Sequence, residues 1–357
     1  MSRTAVGTWG ALADQAALYV EQGAVPACQV AVARGGKLEL FEAFGEATTS
    51  TRFAAYSATK PIVAAAAWRL VDRGSLAVDA AVEDLVPELV GGPGRATIEQ
   101  LLLHTAGFPN APMHPEEGAD AERRRKRFAT WKLEWEPGSR FAYHPSSAHW
   151  VLADLIERLD GRDFRDAVEA LVTRPMGLPR LLGIPPDEQE GIAPPTPVGS
   201  RPLGVDDPAR HLASPEAIAA GVPGGGGIMT AADLAFFYQE LLHNTHGLWS
   251  EPTLRDVTSN IRCRLVDPVM QVPVNRTLGL VVAGDDGKHV LRYACFGALC
   301  SPRAFGHAGA HGQVGWADPA SGVSFAFLHN GLHGDMRRTG ARAVEMSTLA
   351  AGVAAGT

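Results

Sequence analysis

The sequence predicts an α/β fold of the α+β kind, in which helices flank one antiparallel sheet and a mostly helical lobe is inserted between its strands. Three observations predict it. β-rich runs lie near both ends of the chain, helical patterns broken by Pro and Gly fill the middle, and a helical pattern stands at each end. The predicted sheet domain is discontinuous and comprises residues 1–74 and 216–357, and the inserted lobe comprises residues 75–215.

The first predicted elements are a helix and a hairpin. Apolar residues recur at helical spacing over Thr8–Glu21, and Gly23 stands where a helix C-cap is expected. The β-rich runs CQVAVAR and KLELFEAFGEA follow, separated by Gly35 and Gly36, which can adopt the positive φ angles of a tight hairpin. Two antiparallel strands are therefore expected after the first helix.

The remaining elements are predicted from apolar periodicity in the same way. An apolar helix is expected from Ser57 to Arg73, and a helix rich in small residues from Asp335 to about Val353. The other predicted helices are Ile98–His104, His149–Leu159 and Phe164–Val172, and the predicted later strands are Leu278–Ala283, Val290–Tyr293, Val314–Ala317 and Val323–Leu328.

Composition argues against several classes of function. The 357 residues carry a formal net charge of −7, so no positive field gathers nucleic acid or anionic lipid. The four cysteines contain no CxxC pair and are too sparse for a disulfide framework, which favours a reducing compartment. The apolar run Ile62–Trp68 is far shorter than the ~20 residues that cross a bilayer, and Asp14 interrupts the stretch where a signal peptide would be apolar. We expect a cytoplasmic protein without a nucleic-acid or membrane partner.

Ser57 and Lys60 form an SxxK pattern at the start of the predicted apolar helix. Residues three apart on a helix lie on one face, so the two side chains can form a hydrogen bond. A serine hydroxyl becomes a good nucleophile when a base takes its proton, and a partly desolvated lysine at the positive end of a helix can be that base. The alternative is an N-capping serine beside an exposed lysine, because four-residue matches often arise by chance.

Two further segments carry polar side chains that could face the same cleft. A loop rich in Pro and Gly brings Tyr143 to the start of an amphipathic helix. The segment FGHAGAHG, residues 305–312, precedes a predicted strand and places small residues along a sheet edge, where a substrate backbone could lie. The three segments together therefore suggest one catalytic cleft.

These segments resemble the motifs of the serine β-lactamase and penicillin-binding-protein superfamily, and the chain is most similar to its class C β-lactamase and family VIII carboxylesterase branch. The superfamily carries SxxK, then YxN or YxS, then K[ST]G or HxG, and Ser57–Lys60, Tyr143–Pro145 and His307–Gly309 match in that order. Flanking segments such as ATIEQLLLHTAGFP are also similar, so the resemblance spans Glu21 to Leu349. It implies a β-lactamase/transpeptidase-like fold with the active site between the sheet domain and the helical lobe.

The resemblance also implies a role for each matching residue. Ser57 corresponds to the acylated nucleophile, Lys60 to the lysine that activates it, and Tyr143 to the tyrosine that passes a proton between nucleophile and leaving group. The oxyanion hole corresponds to the main-chain N–H groups of Ser57 and Ala310. Neither a metal ion nor a cofactor is implied.

Two departures from the motifs concern the substrate. His307 and Gly309 belong to the expected substrate-binding strand, but lactamases usually hold a lysine where His307 stands. A histidine, with an ordinary pKa near 6.5, is largely uncharged at pH 7 and attracts a substrate carboxylate weakly. Pro145 replaces an Asn that contacts the lysine and a substrate amide, and Ser146 or Ser147 could take its place. Small neutral esters are therefore the expected substrates.

Other patterns are interpreted as structural. The run Gly224–Gly227 lacks the Lys-Ser/Thr of a phosphate-binding loop and precedes a helix capping box formed by Thr230 and Asp233. The basic run Glu122–Arg127 is interpreted as a solvated helix face, and His104 as a structural histidine at a helix end.

Three classes of function remain. The favoured one is a carboxylesterase that acts through a Ser57 acyl-enzyme, with acyl transfer to an alcohol or amine as a close variant. The second is an amidase, peptidase or β-lactamase with the same machinery, and the third is a binding or sensor protein that keeps the fold without turnover. The expected partner is a small-molecule ester or amide, and the oligomeric state is left open.

Overall fold

The structure, a computed structural model, describes residues 9–200, 203 and 207–355. The α-helices in these residues are α1 Gly10–Glu21, α2 Lys60–Asp72, α3 Ile98–Leu102, α4 Pro115–Ala119, α5 Ala121–Phe128, α6 Ser147–Asp160, α7 Phe164–Val168, α8 Pro208–Leu212, α9 Pro215–Ala220, α10 Ala231–His243, α11 Glu251–Ser259 and α12 Met336–Ala355. The strands are β1 Ala27–Arg34, β2 Lys37–Gly45, β3 Phe53–Ala54, β4 Thr196–Val198, β5 Ile228–Met229, β6 Val281–Val282, β7 Phe305–Ala308, β8 Val314–Asp318, β9 Val323–His329 and β10 Gly331–His333.

A six-stranded antiparallel sheet joins the two ends of the chain, in the order β2-β1-β9-β8-β7-β6. The pairing of β1 with β9 brings Cys28 opposite His329 and Arg34 opposite Val323. Gly35 and Gly36 have φ angles of 55° and 74°, as the hairpin between β1 and β2 requires. The predicted antiparallel sheet, with strands from both ends of the chain, is therefore confirmed.

Helices cover both faces of the sheet, and β1 shows how the sequence encodes this. Side chains alternate between the two faces of a strand. Val30 and Val32 pack in one apolar cluster with α1 and α12, whereas Ala31 and Ala33 pack in another with α2 and α10. Because both faces are buried, the strand is almost uniformly apolar instead of alternating with polar residues.

The helix predicted from Ser57 to Arg73 begins with a different geometry. Tyr56–Thr59 form a 3₁₀ turn, and α2 starts only at Lys60. From Lys60 to Trp68 every side chain of α2 is buried, because the helix packs against α6 and lies within the core. The apolar pattern thus predicted the extent of the element but not its first turn.

The predicted capping box before α10 is confirmed. The Asp233 N–H donates to Thr230 Oγ1 at 3.1 Å, and the Thr230 N–H donates to Asp233 Oδ2 at 2.8 Å. The buried Gln29 on β1 adds a third contact, because its Oε1 accepts from the Ala231 N–H at 2.9 Å. The start of α10 is therefore fixed against β1.

Several other predictions differ from the structure. Val290–Tyr293 is not a strand: a 3₁₀ turn spans His289–Leu291, and Tyr293 has a φ of 55°, which an extended strand does not contain. The strand predicted over Leu278–Ala283 is confined to β6, because Gly279 has a φ of 112°. The helix predicted to Val172 ends at Val168 and continues as a π-helical turn. The predicted start of the first helix, Thr8, lies outside the described residues.

The sequence analysis also missed β4, which pairs in parallel with β10. The strand has three residues, one of them Pro197, and such a short segment gives no alternating pattern. The pairing ties residues 75–215 to residues 216–357, and the division of the chain into a sheet domain and an inserted lobe stays a prediction.

Neither a membrane-spanning helix nor a disulfide is found among the described residues. In the part of the chain that the structure describes, no helix is long and apolar enough to cross a membrane. Cys28, Cys263, Cys295 and Cys300 are all buried free thiols. No disulfide therefore contributes to the stability of these residues.

The basic run on α5 is anchored to α6 by a buried ion-pair cluster. Arg124 is fully buried, and its Nε and Nη2 donate to Asp154 Oδ1 at 3.0 and 2.8 Å. Arg158 Nε donates to the other carboxylate oxygen of Asp154 at 2.6 Å. The interpretation of Glu122–Arg127 as a solvated face is therefore wrong for Arg124, because α5 turns this side chain inward.

We predict that Asp154→Ala lowers the free energy of unfolding by about 3–5 kcal/mol, because it removes the fully buried carboxylate of the cluster and leaves Arg124 with Glu157, at 2.9 Å, as its ion-pair partner. Denaturant unfolding measures the change. Glu122→Ala is the matched control, since the pair that Glu122 forms with Lys126 is exposed and should contribute little. Equal stability of the two variants would contradict a structural role for the buried cluster.

Candidate active site

The predicted nucleophile lies on the turn that leads into α2. Ser57 is the second residue of the 3₁₀ turn, and Lys60 Nζ donates to Ser57 Oγ at 3.3 Å. Tyr56, just before Ser57, has a left-handed φ of 47°. A non-glycine residue in this conformation is strained by about 1–3 kcal/mol and persists only where its surroundings fix it, which is common at functional sites. The structure therefore brings Ser57 and Lys60 together as the sequence predicts.

The glycine run before α10 fixes this turn from the side. The Gly227 N–H donates to Thr59 Oγ1 at 2.9 Å, and Thr59 Oγ1 in turn donates to Tyr56 O at 2.6 Å. The Ala55 N–H donates to Gly227 O at 2.9 Å. A Cβ at position 227 would lie 2.6 Å from Thr59 Oγ1, so glycine is required for this close approach.

The Lys60 amine has three partners in a buried position. Its Nζ donates to Pro145 O at 2.7 Å and to Gly224 O at 2.6 Å, in addition to its contact with Ser57 Oγ. The side chain is 1% exposed. A neutral amine has two N–H donors and one lone pair. With two N–H groups directed to the carbonyls, the lone pair of a neutral Lys60 faces the Ser57 hydroxyl and can take its proton.

Electrostatics favour this neutral form. Burial is the main cause that lowers the pKa of Lys60, Tyr143 acts in the opposite direction, and the positive charge of Arg276 adds a smaller lowering. A larger fraction of Lys60 is therefore uncharged at neutral pH than in an exposed lysine.

Tyr143 lies beside this amine. Lys60 Nζ is 5.0 Å from the centroid of the Tyr143 ring. The His104 ring packs against the same ring, with 4.6 Å between the two centroids. His104 Nδ1 accepts from the His144 N–H at 3.1 Å, which ties the Tyr143 loop to the end of α3. His104 is therefore structural, as the sequence analysis expects, but it supports a predicted catalytic residue.

His307 is buried on β7, and its ring centroid lies 6.3 Å from that of Tyr143. Its Nδ1 bonds to Ala308 O at 2.6 Å, which assigns the proton to Nδ1 and leaves Nε2 as an unpaired acceptor. Burial, with smaller contributions from the charges of Arg276 and Lys60, holds the pKa of His307 well below its usual value. His307 is therefore neutral at pH 7, as the substrate argument requires.

Gly309 brings the end of β7 against the nucleophile turn. A Cβ at this position would lie 2.2 Å from Ala55 O. The next residue, Ala310, opens a 3₁₀ turn, and Ser57 stands near the start of another. The first N–H groups of a helical turn have no acceptor within it, so both predicted oxyanion donors come from suitable positions. Their role in an oxyanion hole stays a prediction.

The missing Asn of the second motif is replaced by main-chain chemistry. Pro145 has no side-chain donor, but its carbonyl oxygen accepts from Lys60. Ser147 is engaged elsewhere, because its Oγ donates to Phe108 O at 2.9 Å. The suggestion that Ser147 takes the place of the Asn is not supported by this contact, and Ser146 stays open.

Sequence reasoning missed two residues of the site. Gly224 supplies a carbonyl to Lys60, although its glycine run was interpreted as a helix entry alone. The signal that could have found it is the run itself, since four consecutive glycines allow close main-chain contact. Arg276 is fully buried beside Tyr143, and no pattern in the sequence marks it.

The described residues contain no group of three or more His, Cys, Asp or Glu side chains placed to hold a metal ion.

Comparison with known proteins places these features in a family. A family model described as Beta-lactamase matches residues 12–350. The chain is 27% identical over 317 residues to Esterase/beta-lactamase LipL of Mycobacterium tuberculosis, covering 78% of this chain and 68% of that protein. It is 36% identical over 168 residues to Esterase EstB of Burkholderia gladioli, but this match spans only 41% of each protein.

The fold is shared with solved structures. The crystal structure of a family VIII carboxylesterase superimposes with a TM-score of 0.79 at 22% identity, covering 97% of this chain and 98% of the other. The predicted β-lactamase/transpeptidase-like fold is thereby confirmed.

We predict that Gly224→Ala slows the labelling of Ser57 by a fluorophosphonate about 10- to 100-fold, because small displacements of reacting groups cost rate steeply. The added Cβ would lie 2.8 Å from Pro145 O and 3.4 Å from Lys60 Nζ, so it pushes the lysine partners apart. Labelling is measured by intact mass over time.

Gly340→Ala is the control for this glycine substitution. Its Cβ would meet Ala294 Cβ at 3.4 Å and lies on α12. This variant should label at the wild-type rate. Wild-type labelling in Gly224→Ala would show that the Gly224 carbonyl does not position Lys60.

Proposed function

Because the chain belongs to the Beta-lactamase family and is a serine hydrolase, we propose that it is a carboxylesterase that acts on small neutral esters through an acyl-enzyme on Ser57. The observation that carries the proposal is the buried Lys60 amine, which contacts Ser57 Oγ and directs its other hydrogen bonds to two carbonyls. The named esterase activities of EstB and LipL support the choice of ester over other acyl substrates.

The proposed acylation begins with proton transfer from the Ser57 hydroxyl to Lys60 Nζ. Ser57 Oγ then forms a bond to the ester carbonyl carbon, and the oxyanion accepts from the N–H groups of Ser57 and Ala310. Tyr143 passes the proton on to the departing alkoxide as the ester C–O bond breaks, and the alcohol leaves. Deacylation repeats these steps with water in place of serine, releasing the acid, or with an alcohol or amine in an acyl transfer.

The preference for neutral substrates rests on His307 and Pro145. A neutral imidazole supplies no charge for a substrate carboxylate, and proline supplies no side-chain amide for a peptide or lactam side chain. His307 and Pro145 therefore favour a neutral ester. The amine of an amide is also a poorer leaving group than the alcohol of an ester.

The second candidate function is β-lactamase activity. The printed name of LipL couples esterase with beta-lactamase, and LipL is matched over most of this chain. In this case the same Ser57 would be acylated by opening of the lactam ring.

We predict that a fluorophosphonate labels Ser57, and that the labelling rate rises with pH along an acid limb. The lowered pKa of Lys60 sets the sign, because the protonated ammonium present at low pH cannot accept the serine proton. Lys60→Met should lose about 10²- to 10⁴-fold in rate. Peptide mapping identifies the labelled residue, and Ser57→Ala is the control. Turnover that persists in Ser57→Ala would remove this mechanism.

We also predict that the wild-type kcat/KM for p-nitrophenyl butyrate exceeds that for a chromogenic cephalosporin. The reason is the neutral His307, which offers no charge-assisted hydrogen bond to the cephalosporin carboxylate. Steady-state absorbance assays with both substrates provide the comparison. An equal or higher kcat/KM for the cephalosporin would contradict this prediction and favour the β-lactamase function.

A further inference from the structure

Arg276 is a buried cation held by aromatic rings. Its side chain is fully buried, and its guanidinium carbon lies 5.7 Å from the ring centroid of Phe141, 5.5 Å from that of Tyr143 and 5.3 Å from that of Tyr293. All three guanidinium nitrogens lack a hydrogen-bond partner. Contacts of a cation with aromatic faces are attractive and strengthen when water is excluded. The rings therefore hold the guanidinium in place without neutralising it.

No carboxylate of the described residues forms an ion pair with this guanidinium. Asp267 contacts the ring system through Tyr293, but its Oδ2 accepts from the hydroxyl of Tyr293, and its Oδ1 accepts from the Val269 and Met270 N–H groups at 2.7 and 3.1 Å. Both carboxylate oxygens of Asp267 therefore have partners other than Arg276. A buried charge without a counter-ion is costly, so its position in the site needs a reason.

The Tyr143 ring connects Arg276 to the predicted base. Arg276 lies 5.5 Å and Lys60 Nζ 5.0 Å from the centroid of this one ring. The surroundings are apolar, since Tyr143 and Tyr293 pack on a buried cluster that includes Leu103 and Val274. Two cations near one buried ring repel each other, because little water screens them. With Arg276 always charged, the repulsion falls on the protonated form of Lys60.

We propose that Arg276 is a positioning residue of the Ser57 reaction, which acts across the Tyr143 ring to keep the Lys60 amine in the form that accepts a proton. The proposal rests on the proposed function, because it assigns Lys60 as the base. It adds a requirement that the three motifs do not contain: a fixed positive charge outside them.

Other groups face this pair, and among them Tyr143 opposes the effect of Arg276 on the pKa of Lys60. The titratable and charged groups around Lys60 and Arg276 are His104 after α3, Tyr143 and His144 before α6, His149 on α6, Cys263 after α11, Asp267 and Tyr293 in the loops around β6, and His307 on β7. Burial lowers the pKa of all four histidines, so they are uncharged at neutral pH. Arg276 is thus the charge in this set that bears on Lys60 throughout the working pH range.

The test is the pH dependence of Ser57 labelling by a fluorophosphonate in full-length Arg276→Met. Removing the positive charge makes the Lys60 ammonium easier to form, so the acid limb moves to higher pH and the rate at pH 7 falls several-fold. The rate on the high-pH plateau stays close to that of the wild type, because Lys60 is neutral there in both proteins. Arg276→Lys should restore the limb only in part, because burial favours the neutral amine of a lysine whereas a guanidinium keeps its charge.

Arg342→Met is the matched control for the loss of a buried arginine. Arg342 is also buried with unpartnered Nε and Nη2, and it lies 5.8 Å from the ring centroid of Tyr19, away from Ser57. This variant should lose stability without moving the acid limb. If Arg276→Met does not fold, Arg276→Gln, which also removes the charge, takes its place in the comparison.

An unmoved acid limb in a folded, uncharged variant at position 276 would overturn the proposal. A rise in KM confined to carboxylate-bearing esters, with the limb unmoved, would also overturn it and assign the guanidinium to substrate recognition. Failure of the proposed function has a different signature, because the wild-type protein would then not be labelled at Ser57.

Discussion

A lysine amine that is 1% exposed must find its acceptors inside the protein, and Lys60 finds them in the carbonyls of Pro145 and Gly224. These residues lie 85 and 164 positions along the chain from Lys60. The contacts therefore hold three separate segments at one point: the nucleophile turn, the loop before α6 and the glycine run before α10. Burial without these acceptors would cost several kcal/mol, so the position of each segment depends on the others.

The polar groups around this amine share an unusual balance of charge. Burial lowers the pKa of His144 to about 4 and holds those of His104 and His149 well below their usual value, so all three rings are neutral. His104 and His144 form hydrogen bonds in the Tyr143 loop, and His149 stacks on His104. They stabilise the Tyr143 loop and α6 without attracting an anion or raising the pKa of Lys60. By contrast, the cluster around Asp154 pairs the buried Arg124 and the partly buried Arg158 with a carboxylate. The protein thus contains two kinds of buried cation: Arg124, which pairs with a carboxylate on α6, and Arg276, which has no counter-ion among the described residues.

The sequence predicted what local pattern and ordered motifs encode. Apolar periodicity identified α2. Short runs of β-forming residues made β1 and β9 recognisable as strands, although the two strands lie far apart in the sequence. Ser57 and Lys60 could be paired because three-residue spacing on one turn is a local property. The carbonyl of Gly224 and the guanidinium of Arg276 could not be predicted as parts of the site. A main-chain acceptor depends on no particular side chain, and the contacts of Arg276 come from three rings that are brought together only by the fold. Likewise, Arg124 in a highly charged run gave no sign that it would be buried.

The pairing of β1 with β9 has a consequence for how the protein reaches its native state. The Ala27 N–H donates to Asn330 Oδ1 at 3.1 Å across 303 residues of sequence, so β1 lacks its neighbour β9 until those residues have left the ribosome. Such distant contacts make folding slow, and until they form, the apolar faces of β1 and α2 remain exposed to other chains. The nascent protein therefore remains prone to aggregation until β9 has been synthesised. Chaperones that bind apolar segments can protect β1 and α2 during this time.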